Sequence, residues 1–105
     1  MLRLTMLYRN TPDAQFDFDY YVNTHLVDFK RRMSEFSLSS FEVQKCISTM
    51  RGDPPDYLCI THLDFDDRDR MTAGFAKHGT ELKAAFAEYT NVQPEITVCK
   101  IASSG

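Results

Sequence analysis

The sequence predicts an α+β domain in which β, α, β, β, α and β elements follow one another and the four strands form one antiparallel sheet. Three observations carry this prediction. Apolar residues alternate with a period of two in four separate runs. Between the first and second runs, and again between the third and fourth, the spacing changes to three and four residues, the period of a helix. The second and third runs are joined by a loop rich in Gly, Pro and Asp.

In residues 2–9, Leu4, Met6 and Tyr8 point one way and Arg3, Thr5 and Leu7 the other, as in a strand. Thr11-Pro12-Asp13 punctuates it. Thr11 is expected to cap a helix with Pro12 at the first helical position, where a missing N–H costs nothing. From there to Met33, the residues Phe18, Tyr21, Val22, His25, Leu26, Phe29 and Met33 form one apolar stripe. Lys30, Arg31 and Arg32 close the last turn, the end that favours positive charge.

Residues 36–47 alternate again, with Phe41, Val43, Lys45 and Ile47 opposed to Glu42, Gln44 and Cys46. The string Arg51-Gly52-Asp53-Pro54-Pro55-Asp56 reads as a turn, and its RGD tripeptide as turn chemistry rather than an integrin-binding motif. In residues 57–65, Cys59, Thr61, Leu63 and Phe65 share one face, and Leu58, Ile60 and His62 the other. The acidic run at 64–69 suits a helix start. The helical region extends to Tyr89, with a break expected at His78-Gly79-Thr80 and Thr80 capping a second segment. Leu82, Ala85, Phe86 and Tyr89 form its inward stripe, and residues 93–101 make the last strand.

Right-handed crossovers place both helices on one face of such a sheet, which gives the ferredoxin-like fold. The helix-facing side is expected to carry Leu4, Met6, Val43, Cys59, Leu63, Phe65, Ile96 and Val98. The opposite side, with Thr5, Leu7, Cys46, Leu58, Ile60, His62, Thr97, Cys99 and Ile101, is more apolar than a solvated sheet face. An exposed apolar patch of this kind points to a homodimer in which two sheets pack face to face.

A chain of 105 residues accommodates a single domain, 1–105. With 43% hydrophobic and 26% charged residues, it has the balance of a globular protein rather than a disordered one. A net charge of −3 and the lack of a basic, aromatic-studded stretch argue against nucleic acid as a partner. No run has the length of a membrane span, and the alternating N-terminus does not read as a signal peptide. Cys46, Cys59 and Cys99 sit in strand-like runs without metal-site spacing. They read as small core residues in a reducing, cytoplasmic setting.

Four motifs in order resemble the EthD family, small proteins named for ethyl tert-butyl ether breakdown. Phe16-Asp17-Phe18-Asp19-Tyr20-Tyr21 with Thr24-His25 resembles the family's FDxDYYxxxH helix pattern. His62-Leu63-Asp64-Phe65 is similar to its H-L-x-F strand. Phe75, His78 and Glu81 follow, and Tyr89-Thr90-Asn91-Val92-Gln93-Pro94 resembles its N-Y-T-N-I-x-P segment. The resemblance runs from the first strand to the last and implies a dimeric α+β barrel. Two departures stand out. Leu26-Val27-Asp28 replaces the family's Met-Pro-Leu after the helix histidine, so the helix is expected to run on past His25. Ser39 and Ser40 lie where relatives often carry Gly.

His25 is the principal candidate for chemistry. A histidine on an apolar stripe reads either as a core residue bonded to backbone or tyrosine, or as a general acid or base tuned near neutral pH. The resemblance adds weight to the second. Tyr21 is its i−4 neighbour and could orient it or hold a substrate oxygen. Tyr8, His62, His78, Tyr89 and Asn91 are candidates for the rim or lining of the same pocket. The alternative roles are packing for Tyr21 and Tyr89, an interface bond for His62, and capping for His78 and Asn91. Zinc-type spacing, nucleotide loops and a Ser/His/Asp motif are absent, and neither a metal nor another cofactor is expected. Dimeric barrels similar to this one isomerise lactones, cyclise or dehydrate polyketides, or oxygenate phenols without cofactor. The expectation is proton transfer on a small apolar carbonyl or phenolic metabolite. A non-catalytic dimer that binds a hydrophobic ligand or another protein is the alternative.

Overall fold

Alternation sets the strands where the sequence places them. In the computed structural model, which describes residues 1–105, these are β1 (Leu2–Arg9), β2 (Leu38–Lys45), β3 (Tyr57–Phe65) and β4 (Glu95–Lys100). They form one sheet in the order β2-β3-β1-β4, with every neighbouring pair antiparallel. β2 and β4 are shorter than their alternating runs. Phe36 lies in a 3-10 turn and Ser37 adopts a left-handed φ of 67°, so the sheet starts at Leu38. At the far end, Ile47 is 85% exposed and has left the sheet. Pro94, which lacks a donor, precedes β4.

The first helix, α1, starts later than Pro12. It comprises an α-helical turn Phe18–Tyr20, a π-helical stretch Tyr21–His25 and an α-helical run Leu26–Met33. Asp17, not Thr11, is the N-cap: its Oδ1 accepts from the Tyr20 N–H at 3.1 Å. The reason is tertiary. Asn91 Oδ1 accepts from the Gln15 N–H at 2.8 Å, Asn91 Nδ2 donates to the Asp13 carbonyl at 2.9 Å, and Phe16 bridges Thr90. These bonds hold the segment before Phe18 out of a helix. The helix does run on past His25, as expected without the proline.

The second helix, α2 (Arg68–Ala84), is capped by Asp67, whose Oδ2 accepts from the Arg70 N–H at 3.1 Å. It is continuous through His78-Gly79-Thr80, and Thr80 caps nothing. A glycine inside a helix costs about 1 kcal/mol. Anchorage on either side, through buried Met71 and Leu82, exceeds that. A 3-10 turn, Ala85–Glu88, follows.

Both helices cover one sheet face. Leu4, Met6, Tyr8, Cys59, Leu63 and Phe65 meet Tyr21, Leu26, Phe29, Met33, Met71 and Leu82 in one core. Gly74 sets how closely the helices approach: a Cβ there would lie 2.5 Å from Met33 Cε and 2.7 Å from Phe36 Cβ. Ile96 and Val98 stand on the helix side of β4 but stay 56% and 38% exposed, because neither helix reaches over that edge. On the opposite face, Arg3 pairs with Asp64 at 2.8 Å and Ser40 donates to the same carboxylate at 3.1 Å. The Arg3 guanidinium holds that carboxyl below its ordinary range. Leu7, Leu58 and Ile60 are half-buried farther along the same face, beyond Thr5 and His62. Of the cysteines, Cys59 alone is a core residue. Cys99 is exposed and Cys46 half-exposed, because each lies on an edge strand or just beyond one. No helix is long and apolar enough to cross a membrane.

Candidate ligand-binding site

The uncovered margin beside β4 leads into a cavity of about 360 Å³ between the helices and the sheet. Leu4, Met6, Leu63 and Ile96 form its sheet side, and Tyr21, His25, Leu26 and Phe29 its α1 wall. Phe75, Gly79, Leu82, Lys83 and Phe86 form the opposite wall. Gln93 and Pro94 complete the lining. Lys83, Gln93 and Ile96 are exposed, so the opening lies on their side.

The π-helical stretch aims Tyr21 and His25 together at this cavity. In an α-helix, residues four apart are offset by a fraction of a turn. The wider π turn, closed by the Leu26 N–H to the Tyr21 carbonyl, reverses that offset and keeps the two on one face. Their rings stack at 12° with centroids 5.6 Å apart. Val22, assigned by the 3.6-residue period to the inward stripe, is 42% exposed as a result.

His25 is 7% exposed and packed on aromatic surfaces, with the Tyr89 ring centroid at 4.7 Å and that of Phe86 at 6.2 Å. Burial lowers its pKa, an effect opposed by the charge of Asp28. The imidazole is therefore neutral at physiological pH, with one nitrogen able to donate and the other to accept. Neither nitrogen has a hydrogen-bond partner in the chain. Neither is sealed off, since His78 Nε2 is the one fully buried side-chain polar atom without a partner. The imidazole is the polar group on the α1 wall of the cavity, while Lys83 and Gln93 stand at its opening.

Tyr21 lines the cavity with its ring, while its hydroxyl reaches the sheet and shares a 2.7 Å hydrogen bond with Thr61 Oγ1. Burial pushes this phenol up to about 12, so it stays protonated. Tyr8 and Tyr89 share a 2.9 Å bond between hydroxyls, and burial raises both. Tyr8 is fully enclosed behind the site, and Tyr89 supports the imidazole without lining the cavity.

The remaining candidates lie elsewhere. His62 is on the opposite sheet face, where Nδ1 is 3.0 Å from Thr5 Oγ1. His78 packs between helices, its Nδ1 facing Arg32 Nη1 at 3.1 Å and its ring against Phe36. Asn91 ties down the segment before α1 and borders a separate, shallower hollow with Gln15, Tyr89 and Thr90. No three His, Cys, Asp or Glu side chains converge as a metal site would require. Sequence reasoning did not single out Gly79, Lys83, Phe86 or Gln93 as site residues. The spacing of Gly79 and Lys83, one turn apart, was the available signal, but it was absorbed into the expected helix break.

The fold and its cavity define a ferredoxin-like α+β domain with an apolar pocket and one accessible imidazole. In structure the chain matches EthD-like proteins. An EthD-like protein from Ralstonia eutropha JMP134 superposes with a TM-score of 0.90 at 23% identity, over 99% of this chain and 94% of that one. An ethyl tert-butyl ether (EthD) family protein from Bacillus halodurans C-125 gives a TM-score of 0.72 at 15% identity, over 95% and 97%. SnoaB, a cofactor-independent oxygenase from Streptomyces nogalater, gives 0.54 at 10% identity, over 98% and 92%. No family model and no curated protein matches the sequence.

Proposed function

We propose that the cavity binds a small apolar metabolite bearing a carbonyl or phenolic oxygen and that His25 moves a proton on it. The observation that carries this reading is the neutral, unpartnered imidazole on the wall of an apolar cavity. A nitrogen that faces the cavity and has no partner in the chain is free to bond a ligand that enters there. As a base, His25 would accept the proton of a phenol or of the carbon next to a carbonyl. As imidazolium, it would return that proton to another atom of the same molecule. The apolar walls exclude water and strengthen the electrostatic contact between imidazole and anion. Tyr21 positions the imidazole by stacking, while its hydroxyl is bonded to Thr61 on the sheet. Isomerisation, dehydration and cofactor-free oxygenation of a phenolate all begin with this transfer, and the SnoaB-like fold is compatible with the last.

One observation favours a binding-only role: the hydroxyls of the two tyrosines packed on His25 are bonded elsewhere, to Thr61 and to Tyr8. His25→Gln separates the two readings. It keeps a hydrogen-bonding side chain of similar reach. Catalysis predicts retained binding with turnover reduced by about two to four orders of magnitude. An unchanged rate on a turned-over substrate would refute proton transfer by His25.

The second copy completes the proposal. Leu7, Leu58 and Ile60 form an apolar row on the outer sheet face, flanked by Thr5, His62 and the Arg3–Asp64 pair. A homodimer packed through that face covers the row and leaves each cavity, on the opposite face, in its own subunit.

A further inference from the structure

Lys83 is the one cationic side chain among the residues that line the cavity, and no carboxylate lines it. It forms no ion pair within the chain, a state it shares with six of the other eleven Lys and Arg residues, but it alone of these lines the cavity. It stands one helical turn beyond Gly79 on the same face of α2. At Gly79 a Cβ would meet nothing within 4 Å, so the missing side chain leaves open space on the cavity wall. A mid-helix glycine is unfavourable, and packing does not require this one. Gln93 adds an amide beside the same opening.

We infer that the cavity takes an amphiphilic anion, an apolar ring system whose hydroxyl or carbonyl meets His25 and whose carboxylate is held at the mouth by Lys83 and Gln93, entering through the notch at Gly79. This deepens the reading above and rests on it. The charge pattern supports it: the chain is net acidic at −3, yet the charged lining residue at the opening is a lysine. A carboxylate there stays partly hydrated, so the cation can hold it without the cost of burying an unpaired charge. The apolar end displaces water from the interior, which supplies the bulk of the affinity.

The test is calorimetric titration of the full chain with hydroxynaphthoate and with its methyl ester, which has the same ring and hydroxyl but no charge. The acid is expected to bind about tenfold more tightly than the ester, the scale of one charge-assisted hydrogen bond. Lys83→Met keeps the apolar stem and should remove the preference for the acid without changing the ester, while Lys83→Arg should keep it. Gly79→Leu should weaken both probes. If acid and ester bind equally to the unaltered chain, or the preference survives Lys83→Met, the anion inference is overturned while the cavity reading stands. If neither probe binds, the cavity reading falls and the inference with it.

Discussion

The imidazole of His25 stacks on the ring of Tyr21 across a π-helical turn, with 12° between the ring planes and 5.6 Å between centroids. The hydroxyl of Tyr21 meanwhile points to Thr61 on β3. One residue thus fixes the histidine with its face and the sheet with its tip. Tyr21→Phe should preserve the stack, and with it ligand binding and the pH profile. It should lower stability by about 1 kcal/mol through the lost hydrogen bond to a buried hydroxyl. Tyr21→Ala should cost about 3–5 kcal/mol and loosen His25. Denaturant unfolding, paired with ligand titration, checks both.

The pH dependence follows from His25. Its pKa in the folded chain lies below the ordinary imidazole value of about 6.5 because burial disfavours the charge. The unfolded chain therefore takes up this proton first, and stability falls as the pH drops below about 6.5. The loss continues until the folded state is protonated as well. His25→Asn should remove this part of the decline between about pH 7 and pH 5. Asp28 and Asp64 act in a separate, more acidic window: arginine partners depress both pKa values, so their contribution is lost only as pH falls through those lowered values. Thermal unfolding of the two chains across this range is the measurement, and parallel curves would contradict the assignment.

Two glycines on α2 should respond in opposite directions. Gly74→Ala places a methyl 2.5 Å from Met33 Cε and 2.7 Å from Phe36 Cβ, where the two helices meet. Overpacking of this kind costs about 1–3 kcal/mol. Gly79→Ala meets nothing within 4 Å and should stabilise the helix by up to about 1 kcal/mol. Equilibrium unfolding of both variants checks the signs.

The outer sheet face should mediate self-association. Ile60→Glu places a charge in the apolar row beside Leu7 and Leu58 without touching the helix-side core. Sedimentation should report a dimer for the unaltered chain and a folded monomer for the variant. A monomer for both would refute pairing through this face.

Much of this architecture was readable from local pattern, and the exceptions share a cause. Each strand followed its alternation, and His62 alternated onto the face opposite His25. The start of α1 was misplaced because Thr11 and Pro12 form a good local cap signal, while Asn91 and Thr90, distant in sequence, hold that segment extended. Gly79 read as a helix break because its local cost was visible and the anchorage by Met71 and Leu82 was not. The π turn has no signature in a 3.6-residue period, so Val22 was placed inward. His25 and Tyr21 were legible as a pair on one stripe. The opening was not, because it depends on how far α2 reaches over β4, a matter of tertiary packing that left Ile96 and Val98 exposed.

The central claim is that His25 offers a neutral, unoccupied imidazole to a ligand in the apolar cavity. Nitrogen NMR of the labelled protein, with the His25 ring assigned through His25→Gln, tests it directly. On titration with hydroxynaphthoate, the account predicts that the His25 ring nitrogens move from neutral, unbonded shifts to those of a hydrogen-bonded or protonated imidazole, while His62 and His78 stay unchanged. Saturable binding that leaves the His25 nitrogens unmoved would contradict it.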